Sequence, residues 1–75
     1  MSYRDSYATP AQARFVESLY WGCSITDAEM TALLAEVGVS AQGYPLADMP
    51  VRKAARYLTK AETSELIDRL KAWPR

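Results

Sequence analysis

Seventy-five residues suffice for one small domain and exclude a two-domain enzyme, while 49% hydrophobic and 24% charged residues match a soluble globular chain. Nine basic residues balance nine acidic ones, so the global positive field of a strong, nonspecific nucleic-acid binder is missing and any basic surface must be local. His is absent and Cys occurs once, which excludes an intrachain disulfide, a Cys/His zinc site and any His-based triad or proton shuttle.

Residues 1–8 show no period and read as a loose N-terminal arm, on which Tyr3 and Tyr7 can still pack. This start has no signal-peptide h-region, and no apolar run approaches the roughly 20 residues of a membrane span, so a cytoplasmic protein without membrane contact is expected. Residues 9–75 form the helical mini-domain. Thr9, Pro10 and Gln12 occupy the N-cap, N1 and N3 positions of a capping box that opens the first helix. Gln12, Phe15, Val16, Leu19 and Cys23 follow helical spacing as its core stripe, with Tyr20 at the edge and Gly22 as terminator.

A second box, Thr26 to Glu29, lies between Ile25 and Met30, which stand at the two positions of a hydrophobic staple. Met30, Leu33, Leu34 and Val37 form the stripe of this helix, and Gly38 stands where a left-handed residue is wanted after it. Residues 39–48, with Gly43 and Tyr44-Pro45, read as a loop pinned to the core by Val39, Tyr44 and Leu46. Asp48 is placed to cap a short third helix running to about Tyr57, with Pro50 in its first turn and Val51, Ala54, Ala55 and Leu58 facing inward. Thr59 to Glu62 is a third box, opening a last helix with Leu66, Ile67, Leu70 and Trp73 as its stripe and Pro74 as its end. No segment alternates with period 2. The sequence therefore predicts an all-α fold, a single compact domain of three to four short helices.

The zero net charge conceals a dipole: residues 1–48 hold two bases against six acids (−4), and residues 49–75 seven bases against three acids (+4). Arg52, Arg56 and Lys60 are spaced i, i+4, i+8, so a third helix running smoothly into the fourth would make them one ridge, with Lys53 beside it. Such a ridge could seat phosphates or an acidic partner surface, or could be a solvated face complementing the acidic N-terminal half. Trp21 lies six residues past Phe15, about 240° around a helix and opposite the core stripe. It either anchors a partner surface or is covered by the 39–48 loop.

Cys23 has no His to activate it and lies at a helix end, so it reads as a small buried hydrophobe. The carboxylate pairs Glu62/Glu65 and Asp27/Glu29 fall in first turns, where capping and helix dipoles account for them. No Gly-rich phosphate loop, EF-hand ladder or internal repeat occurs. The residues thus predict no catalytic site, no metal, no cofactor and no small-molecule substrate.

Two strings, TPAQARFVESL at 9–19 and LTKAETSELIDRL at 58–70, resemble a small helical module of unknown function found in bacteriophage and actinobacterial proteins, sometimes appended to phage DNA-annealing proteins. In that module a T-x-x-Q-x-x-F/Y-I/V-x-x-L helix precedes an L-T/S-K-x-E-A-S-x-L-I-D-x-L helix. The match covers about a third of the chain, at its two ends, and Thr63 stands where the module most often has Ala. The resemblance implies a fold and a phage-type, DNA-associated setting and no catalytic residues. The function expected is that of a non-enzymatic accessory module engaging a protein partner or a second copy of itself. The alternative is weak, direct binding of nucleic acid through Arg52, Lys53, Arg56 and Lys60.

Overall fold

A computed structural model of the chain describes residues 7–41 and 43–73. Among these residues are four α-helices, α1 (Pro10–Gly22), α2 (Asp27–Val37), α3 (Val51–Ala55) and α4 (Lys60–Lys71), and two 3-10 turns, Val39–Ala41 and Leu46–Asp48, but no strand. The fold is all-α. Each of the three capping boxes is formed in both directions. The hydroxyls of Thr9, Thr26 and Thr59 accept from the amides of Gln12, Glu29 and Glu62, whose side chains accept in return from the threonine amides. The six bonds span 2.9–3.1 Å and satisfy backbone donors that the first helical turn would otherwise leave open.

The helices share one core. α1 packs on both α3 and α4, and α4 also packs on α2. Ala13, Ala54 and Ala55 are fully buried, and side chains this small let α1 lie close to α3. Leu58, Leu66 and Leu70 fill the centre beside Val16, with Ile25, Met30, Leu33, Leu34 and Val37 added from α2 and its approach. The two staple residues, Ile25 and Met30, are thus both buried. Thr63 is the buried polar residue of this core, and its hydroxyl donates to the Thr59 carbonyl at 2.8 Å. At the surface, the Arg69 guanidinium joins α2 to α4 through Glu36 at 2.6 Å, a half-exposed pair that water and salt screen.

The loose arm expected over residues 1–8 is anchored at its end: Ala8 is buried, its amide donates to the Leu58 carbonyl at 2.9 Å, and Tyr7 forms an antiparallel bridge with Thr59. The rest of that arm, residues 1–6 with Tyr3, and the terminator Pro74 lie outside the described residues. Phe15 is not core: it is 43% exposed, and its ring lies under the Lys71 ammonium, 5.4 Å from the centroid. The buried stripe of α1 is centred on Ala13 and Val16, because two helices lean on that side. Phe15, about 100° round from Val16, falls at the margin.

The loop is pinned by Ala41 and Leu46, both buried, while Val39 and Tyr44 stay outside and Tyr44 leans on the Tyr57 ring at 4.8 Å. Gly38 does not adopt a left-handed conformation: its φ and ψ are −90° and 50°. It is needed for closeness instead, since a Cβ there would stand 2.6 Å from the Leu34 carbonyl oxygen and 2.7 Å from a Leu58 methyl. Asp48 caps nothing. It ends a 3-10 turn, and α3 starts at Val51 behind Pro50, which makes no side-chain cap. Proline disfavours helical geometry in the residue before it, and Met49 is accordingly extended at φ −105° and ψ 149°.

Candidate functional site

α1 presents a second, outward face. Trp21 follows Val16 by five residues, about 140° round the helix, and is 77% exposed. The 39–48 loop leaves it open. Leu46 and the Met49-Pro50-Val51 stretch face it across a cleft of about 340 Å³, lined also by Met30 and Leu34 and rimmed by Glu17 and Asp27. Tyr20 sets the indole's position: the two rings meet edge to face, with centroids 5.4 Å apart at 72°. The Tyr20 hydroxyl donates to the Asp27 carboxylate, which also holds this phenol above its ordinary pKa. A cleft lined by no cation, with an exposed aromatic pair beside it, suits an apolar side chain arriving from outside.

The basic residues are arranged differently from the predicted ridge. α3 ends at Ala55, and the amides of Arg56, Tyr57 and Leu58 bond back three residues in a tightened turn. Thr59 must then be extended to cap α4, so the helix does not continue and Lys60 begins a new axis. Arg52, Lys53 and Arg56 stay together. They line a groove of about 520 Å³ between α1 and α3, to which Lys60 does not contribute. Arg14 of α1 completes it from the opposite wall, with Pro10, Ala13, Glu17 and Pro50.

Among the described residues, the ion pairs within 4.0 Å are those of Arg69 with Glu36 and Glu65, which leaves the four groove cations unpaired. Neither Arg14 nor Glu17 stands out in the sequence as a site residue, yet Arg14, Glu17 and Trp21 fall at i, i+3, i+7, one outward strip of α1. That spacing was the available signal.

Cys23 is only half-buried, because the chain turns away to Ile25 just after it, and its thiol donates to the Tyr20 carbonyl at 3.7 Å. Trp73 packs at the edge of the core and lines a shallow groove between α2 and α4. Of the two carboxylate pairs, Glu29 and Glu62 serve as capping-box partners, whereas Glu65 lies beyond the first turn of α4 and pairs with Arg69 at 3.3 Å. Among the described residues, no group of three His, Cys, Asp or Glu side chains is placed to hold a metal ion, and no helix is long and apolar enough to cross a membrane. Comparison of the chain with protein-family models, curated proteins and solved structures finds no match.

Proposed function

We propose that this chain is a non-enzymatic binding module that engages a protein partner, in the phage-type, DNA-associated setting implied by the strings at 9–19 and 58–70. The observation that carries the reading is Trp21, a large exposed aromatic in edge-to-face contact with Tyr20, beside a cleft that Met30, Leu34, Leu46 and Val51 line and Glu17 and Asp27 rim. Exposed tryptophans at such clefts are favoured anchors in protein interfaces, because they bury much area for little loss of side-chain freedom.

The test is a selection of random 12-residue peptides on the folded chain, repeated on Trp21→Ala. Binders enriched on the parent and lost on the variant support docking at Trp21. Equal enrichment on both removes Trp21 from the site. The variant should keep its stability to within about 0.5 kcal/mol, as surface substitutions do, so that a loss of binding is not a loss of fold.

Direct contact with nucleic acid is the second reading. It is favoured by the convergence of Arg14 with Arg52, Lys53 and Arg56, though not with Lys60. Three or four phosphate contacts imply a log–log salt slope of about −2 to −4 on single or double strands. Absence of binding to either form near 50 mM salt removes this reading.

A further inference from the structure

The two cavities on this side of the molecule are neighbours: Glu17 of α1 and Pro50, at the head of α3, line both of them. Through these shared residues the surface joins the groove cations, which form no ion pair with a described residue, to the Trp21 cleft. We propose that this surface is one track for an extended acidic–apolar segment of a partner protein. Its carboxylates sit on Arg14, Arg52, Lys53 and Arg56, and its aromatic or branched aliphatic anchor sits against Trp21. This rests on the protein-docking reading above and adds the chemistry of the partner.

The geometry sets the spacing. Arg14 and Trp21 are seven residues apart on α1, about 10 Å along the helix axis, which an extended chain spans in about three residues. The acids of the partner should therefore lie about three residues from its anchor. Glu17 stands at the junction and disfavours a further acid between them. The same arrangement argues against a nucleic-acid backbone as the occupant. A nucleic-acid backbone is negative along its whole length, whereas the Trp21 end of the track is rimmed by Glu17 and Asp27, and Lys60 does not line the groove.

The experiment uses the full chain. Random 12-residue peptides are selected on it, and the consensus peptide is synthesised with a fluorophore for anisotropy titration. The expected consensus has two acids and an aromatic or branched aliphatic residue about three positions away. Arg52→Glu/Arg56→Glu, and separately replacement of the peptide's acids by their amides, should each weaken binding by roughly tenfold or more. Trp21→Ala should do the same, while raising NaCl from about 50 to 500 mM weakens only the charge-dependent part.

A consensus without acids, or a peptide indifferent to the charge reversal, overturns the track but leaves docking at Trp21 standing. No enriched peptide at all overturns both. A 12-nucleotide oligo-dT that binds, is lost on Arg52→Glu/Arg56→Glu and is kept by Trp21→Ala assigns the groove to nucleic acid and overturns the proposal. A concentration-dependent dimer in sedimentation, dissociated by either variant, assigns the track to a second copy and overturns it likewise.

Discussion

Ser40 and Glu62, 22 residues apart, lock the turn after α2 to the start of α4: the Ser40 hydroxyl donates to Glu62 Oε1 at 2.6 Å and its amide donates to Oε2 at 3.0 Å. Oε1 also accepts from the Thr59 amide at 2.9 Å, so one carboxylate closes a helix cap and holds a loop. Partial burial pushes the Glu62 pKa up, but the hydrogen bonds from Ser40 and Thr59 outweigh it and hold the carboxyl below its ordinary value. A carboxylate lowered on folding stabilises above its unfolded pKa of about 4.3, and that contribution disappears as pH falls through the folded value. Glu62→Gln should therefore melt below the parent at pH near 7, with the gap closing towards pH near 3. Thermal melts across that range check it, and a gap of constant size would mean that the charge on Glu62 contributes nothing.

The three capping boxes are not equivalent. Those at Thr9 and Thr59 are partly buried and the one at Thr26 is exposed. Thr59 in addition accepts at its carbonyl from Thr63 and is bridged to Tyr7. Thr59→Ala should cost about 1–2 kcal/mol and Thr26→Ala about 0.5–1 kcal/mol, the two parts of the range seen for lost caps. Urea unfolding of both variants measures this, and the reverse order would show that partial burial of the Thr59 box adds nothing to its cap.

Phe15 and Leu66 both stand on predicted core stripes, but only Leu66 is sealed from solvent. Leu66→Ala should cost about 2–5 kcal/mol as a cavity-forming truncation. Phe15→Ala should cost about 1–2 kcal/mol, from part of a ring's burial and an exposed cation–π contact with Lys71. Equal losses in chemical denaturation would place Phe15 back in the core.

Gly38→Ala tests the close approach of the α2 C-terminus to Leu58. Since the backbone there is not left-handed, Ala meets no conformational penalty of that kind and would gain slightly from a stiffer unfolded chain. The 2.6 Å approach to the Leu34 carbonyl nevertheless requires backbone movement, so a net loss of about 1–3 kcal/mol is expected. A stabilised Gly38→Ala protein in a melting experiment would show that the helix end yields freely.

The sequence by itself determined where three of the helices begin, because a capping box is an interaction between residues three apart and needs nothing from the rest of the chain. It likewise determined the all-α class and most of the stripes of α2 and α4. The start of the third helix is also a local matter, settled by Pro50 and its effect on Met49, although Asp48 offers a competing cap in the sequence.

Tertiary structure alone decided which sector of α1 is inside. Periodicity defines a stripe only to within a residue or so, and the directions from which α3 and α4 approach shift it towards Ala13, keep Val16 inside and leave Phe15 at its margin. The same packing made the candidate surface: it brought Arg14 to Arg52 and Arg56 and left Trp21 uncovered. Those relations join residues tens of positions apart, and their geometry depends on how helices cross, a property of shared side-chain volume that no single segment carries.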